Sequence, residues 1–94
     1  MRVANNLFIS HPRLIRSATV LCPFQIKIKL VQEEFVATSS ISDVYETGET
    51  PALATLNYLY SLIDELVWYQ RNKESLSEPM LRDFNQLQLY MSLV

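Results

Sequence analysis

The chain has a single glycine in its 94 residues, Gly48, within the stretch "SDVYETGETPALATLN" that spans residues 42–57. One glycine excludes a glycine-rich phosphate loop, because such loops need several residues without a β-carbon for the backbone to close on phosphate oxygens. The surrounding residues explain the one that is present. Thr50 is placed as a helix N-cap, with its hydroxyl accepting from an orphan backbone N–H. Pro51 suits the first helical position, where its missing N–H removes no bond. A glycine just before such a cap permits a positive φ that a side chain would oppose. The sequence therefore predicts a strand-to-helix corner at "GETP", with a positive φ expected at Gly48.

The segment before the corner reads as antiparallel strands. "FQIKIKL" alternates, with Phe24, Ile26, Ile28 and Leu30 on one side and Gln25, Lys27 and Lys29 on the other, which is the period of a half-buried strand. A short polar turn at Gln32 to Glu34 leads into "FVATSSI", with Phe35, Ala37, Ser39 and Ile41 on one face. "VYETG" follows as a short third strand ending at Gly48. After the corner, a helix is expected from Pro51 to Arg71, with Asn72 as its stop. Leu56, Leu59, Ile63 and Leu66 mark its buried face, with Ala52 at the start. The apolar arc also takes in Leu53, Tyr60, Leu62, Val67, Trp68 and Tyr69, more than one buried face of a small domain requires. Ser77 caps a second helix with Glu78 and Pro79 in its first turn, and Met80, Phe84, Leu87 and Met91 form its apolar stripe. The expected fold is α+β, a three-stranded antiparallel β-meander followed by two α-helices packed on one face of it.

Charge divides the chain unevenly. Residues 1–29 hold Arg2, Arg13, Arg16, Lys27 and Lys29 and no carboxylate, whereas all ten acidic residues come later and the net charge is −2. Residues 1–22 read as a basic, poorly ordered extension and residues 23–94 as the folded domain. Asn5, Asn6, His11 and Pro12 break up any secretory signal, and no apolar run is long enough for a membrane span. A lone cysteine, Cys22, forms no internal disulfide, so a cytoplasmic, reducing setting is expected.

Catalytic constellations are sparse. His11 is the only histidine and lies in the extension, so Cys22 has no other imidazole to activate it. Asp64 and Glu65 are adjacent on a helix and point in different directions. One Cys and one His cannot make a zinc site, and no cofactor is expected. The sequence points to a binding protein and not to an enzyme. Tyr58, Tyr60, Trp68 and Tyr69 are candidate interface residues, since Tyr and Trp are enriched as interface anchors. An alternative is nucleic-acid association through Arg2, Arg13, Arg16, Lys27 and Lys29.

The order of elements, with Gly48, Glu49, Thr50, Pro51, Ala54 and Asn57 at the corner, resembles the HicB-like antitoxin family over roughly residues 24–70. The resemblance implies a domain that dimerises and binds a small ribonuclease toxin of the HicA type, blocking its active site. Two features depart from the family pattern. The acidic pair often found after the corner is replaced by Ala52 and Leu53, and the C-terminal part is too short for a separate DNA-binding module. The chain is thus closer to a solitary HicB-like protein than to an operon repressor.

Overall fold

The computed structural model describes the backbone of residues 2–9, 13–15 and 18–93 and the side chains of residues 18–93. The elements in chain order are β1 (Arg2–Ile9), β2 (Arg13–Ile15), β3 (Ala18–Val20), β4 (Phe24–Val31), β5 (Glu34–Ser39), β6 (Ser42–Gly48), α1 (Pro51–Arg71), α2 (Glu78–Tyr90) and β7 (Met91–Leu93). The expected meander is β4-β5-β6, and the α+β architecture follows the sequence reading. β1 adds a fourth strand on the far side of β4, giving the order β1-β4-β5-β6, and a second sheet has the order β2-β3-β7.

Alternation in β4 has the predicted consequence. Phe24, Ile26 and Ile28 are buried, while Gln25 and Lys27 are exposed. Lys27 lies opposite Thr38 and Ile28 opposite Ala37, so the inner face of β4 continues into β5. The β4–β5 hairpin is closed by two residues, Gln32 and Glu33, both left-handed with φ of 48° and 69°. That is the signature of a turn whose twist matches the flanking strands. The β5–β6 connection is also two residues, Ser40 and Ile41. The Ile41 N–H donates to Ser39 Oγ at 3.3 Å and the Val44 N–H to Ser42 Oγ at 3.2 Å, so serine hydroxyls supply the local bonds that turns need.

Both helix starts fall where the caps predict. The Leu53 N–H donates to Thr50 Oγ1 at 3.1 Å and the Met80 N–H to Ser77 Oγ at 3.3 Å, with proline in each first turn. α1 ends at Asn72, whose backbone N–H donates to the carbonyls of Trp68 and Tyr69. Its buried face is Ala54, Thr55, Tyr58, Leu59, Leu62, Ile63, Leu66 and Tyr69. This corrects the expected stripe, because Ala52 is exposed and Leu56 is 40 % exposed. The helix is rotated so that its polar side chains Asn57, Ser61 and Glu65 lie along β6, which brings Tyr58 and Leu62 to the centre of the core.

α2 contributes Phe84 and Leu87 to the core, and Met80 stays 41 % exposed at its open end. Met91, expected at the end of the helical stripe, instead begins β7 in an extended conformation, buried and opposite Val20. Phe24 of β4 meets Tyr90 edge-on at 6.1 Å, linking the main sheet to the end of α2. Ala18 and Val20 are fully buried in the same core. The expected boundary between residues 22 and 23 therefore does not mark the edge of the packed domain. Leu21 secures this region through its backbone N–H, which donates to the Tyr90 carbonyl at 2.6 Å.

Candidate functional site

The corner is fixed by close packing of one backbone on another. Gly48 is the last residue of β6 and lies opposite Phe35. Its φ is not positive, so conformational freedom is not what glycine supplies here. It supplies space. A β-carbon on Gly48 would lie 2.8 Å from the Leu53 carbonyl carbon and 2.9 Å from Ala54 Cα, and closer still to Ala54 N. Contacts under 3.0 Å to backbone cannot be relieved by turning a side chain. Ala54 is itself fully buried, and its N–H donates to the Thr50 carbonyl at 3.0 Å. Glu49 is exposed ahead of the cap.

Asn57 completes the corner by donating from Nδ2 to the Thr47 carbonyl at 2.9 Å. One turn later Ser61 Oγ donates to Glu46 Oε2 at 2.6 Å, and one turn further Glu65 Oε2 accepts from Ser42 Oγ at 2.7 Å. Asn57, Ser61 and Glu65 are spaced four residues apart and share one helix face. They form a polar ladder that ties α1 along β6. The corner motif is thus an architectural device, in which Thr50 and Asn57 make their bonds within the domain. Only the spacing of Asn57, Ser61 and Glu65 could have signalled the ladder in the sequence.

The aromatic candidates separate into core and surface. Tyr58 is fully buried, with its hydroxyl 2.5 Å from Ser39 Oγ, and burial pushes its pKa up. Tyr69 is buried between Phe84 (centroids 5.5 Å apart) and Trp68 (5.8 Å). Its pKa is pushed up to about 12, first by burial and then by the carboxylates of Glu65 and Asp83. Within this domain Tyr58 and Tyr69 are core residues, which corrects their assignment to an interface. Trp68 is 50 % exposed and Tyr60 half-buried.

The exposed apolar side chains include several that were not singled out as interface residues. Leu53 and Leu56 stand open on the outer side of α1, and Met80, Leu81 and Leu89 on α2. On α1, Leu53 and Leu56 are exposed away from the core, while Tyr60 and Val67, which follow at helical spacing, are half-buried and pack against it. The signal was present in the sequence as the over-wide apolar arc.

Of the basic candidates, Lys27 and Lys29 lie on the sheet face opposite the helices. Arg2 begins β1 opposite Leu30 and Arg13 lies in β2 opposite Val20, but their side chains, like all of Arg16 and His11, lie outside the described residues. Cys22 is an exposed free thiol. Among the described residues, no group of His, Cys, Asp or Glu is arranged to hold a metal ion, and no helix is long and apolar enough to cross a membrane.

Comparison with protein-family models, with curated proteins and with solved structures gave no match.

Proposed function

We propose that this chain is a non-enzymatic protein-interaction domain whose partner seats on the outer side of α1. The observation that carries this reading is the exposed apolar stripe of Leu53 and Leu56, at 46 % and 40 % exposure, on a helix whose opposite side already fills the core. Burial of apolar surface drives association, and clustered apolar patches on an otherwise polar surface mark protein contacts. Trp68 offers a large, half-exposed ring of the kind that anchors interfaces.

The HicB-like resemblance of the corner gives the partner its class, a small ribonuclease toxin of the HicA type held inactive by this domain. The polar ladder supports a binding role, because it fixes the rotation of α1 and so presents the stripe on a rigid element. The test is affinity capture from the source cells, followed by an RNA-cleavage assay on any small protein recovered. The expected outcome is a ribonuclease that the chain inhibits at equal stoichiometry, with inhibition lost in a Leu53→Asp, Leu56→Asp variant that folds normally. Inhibition indifferent to that variant would remove the α1 surface from the proposal. Recovery of partners without ribonuclease activity would remove the toxin.

A further inference from the structure

The helices cover one face of the four-stranded sheet. The other face carries Gln25, Lys27 and Lys29 of β4, Val36 and Thr38 of β5, and Tyr45 of β6. This assignment follows from register: Lys27 lies opposite Thr38, Lys29 opposite Val36, and Tyr45 is next to Glu46, which lies opposite the inward-facing Ala37. Tyr45 is 65 % exposed, the most open aromatic ring on the sheet among the described side chains. On the far side of β4, Asn6 of β1 lies opposite Lys27, so the lysines sit on an interior strand of the sheet and not on its edge.

A shallow groove of about 380 Å3 runs over this face, lined by Gln25, Lys27, Lys29, Thr38, Ser39 and Ser40. The lining contains two cations, several hydroxyl and amide groups, and no carboxylate. Glu34 and Asp43 lie at the two ends of the face, outside the groove. In a chain with ten acidic residues and a net charge of −2, that segregation leaves a locally positive surface. Among the described residues neither lysine has an ion-pair partner.

From this arrangement we infer that the open sheet face is a seat for single-stranded nucleic acid. The phosphodiester backbone lies along Lys27 and Lys29, and a base stacks on Tyr45. Two alternate residues of one strand have Cα atoms about 7 Å apart and project their side chains from the same face, a spacing suited to successive anionic groups. A cationic track and an exposed ring two strands away on the same open sheet face form the combination that binds single strands, whose bases are free to stack. A duplex keeps its bases inside and gains nothing from Tyr45. This surface is opposite the α1 stripe, so the inference stands independently of the protein-binding reading.

The test uses the full chain and fluorescence polarisation of a short labelled oligouridylate, its DNA counterpart, and a duplex of the same length. The expected result is single-strand binding that weakens with salt at a log–log slope of about −1.4, the value for two phosphate contacts. A Lys27→Ala, Lys29→Ala variant removes that slope, and Tyr45→Ala weakens single-strand binding roughly fivefold or more. Circular dichroism of both variants checks that the sheet is intact. Three results would overturn the inference: no binding at low salt, equal binding of duplex and single strand, or binding unchanged in folded variants. The last would place the contact on the basic N-terminal residues instead.

Discussion

The backbone of Ala54 passes so close to Gly48 that a β-carbon on the glycine would come within 2.9 Å of Ala54 Cα. The first turn of α1 is thus packed directly on the end of β6, backbone against backbone. The Asn57 bond to Thr47 and the buried Ala54 methyl group hold the same contact from either side. With φ not positive at Gly48, chain entropy and steric fit predict opposite signs for an added methyl group. Where φ is compatible with a side chain, Gly→Ala stabilises by about 0.4–1 kcal/mol through the unfolded state. Here the φ of Gly48 is not positive, yet Gly48→Ala should destabilise by about 2 kcal/mol or more, because the helix must move away from the strand. Urea denaturation of this one variant decides the matter. An unchanged or raised midpoint would show that the corner has room for a methyl group.

Asn57 tests the same corner through its hydrogen bond. Asn57→Ala loses a bond of about 1 kcal/mol but gains up to about 0.6 kcal/mol of helix propensity, for a small net destabilisation. Asn57→Asp cannot donate and sets a carboxylate against the Thr47 carbonyl, so it should be the less stable of the two by about 1 kcal/mol. Equal stabilities by thermal denaturation would mean that the Asn57 amide does not bond to the strand in solution.

Local signals in the sequence are strong enough to place the three strands of the β4-β5-β6 meander, both helices and both caps. Thr50, Pro51, Ser77 and Pro79 act through bonds within one turn of themselves, and the alternation of Phe24 to Ile28 needs no partner to be recognised. What the sequence did not reveal depends on distant contacts. β7 follows α2 without a break in "LQLYMSLV", and only pairing with β3 makes Met91–Leu93 extended. The rotation of α1 was also hidden, because its apolar arc is wider than its buried face, and only the ladder to β6 selects which part turns inward. For that reason Tyr58 and Tyr69 could not be told from Tyr60 and Trp68 beforehand. The site was legible as a corner motif, but the reason for its glycine was read as backbone freedom when it is space.

The Gln32–Glu33 turn offers a stabilising change. Both residues hold left-handed φ, a conformation that costs a side-chain-bearing residue about 1 kcal/mol or more when it is not Asn or Asp. Asn-Gly is the favoured pair in two-residue turns of this hand. Replacing Gln32 by Asn and Glu33 by Gly should raise stability by about 1 kcal/mol without altering the β4–β5 register. A lowered melting temperature would indicate that the turn side chains make contacts that outweigh the backbone strain.

Tyr69 makes stability depend on alkaline pH. Its folded pKa of about 12 lies above the ordinary 10.0, because burial and then Glu65 and Asp83 disfavour the phenolate. Between those values the unfolded chain has released the phenolic proton while the folded chain retains it. Stability therefore falls as pH rises. The contribution is fully present below pH 10 and is lost as the pH approaches 12, with a total on the order of 2 kcal/mol. Tyr69→Phe removes the titrating group but keeps the ring against Phe84. Urea midpoints measured from pH 8 upward should decline less steeply in that variant than in the parent. Parallel declines would show that Tyr69 ionises as readily in the folded chain as in the unfolded one.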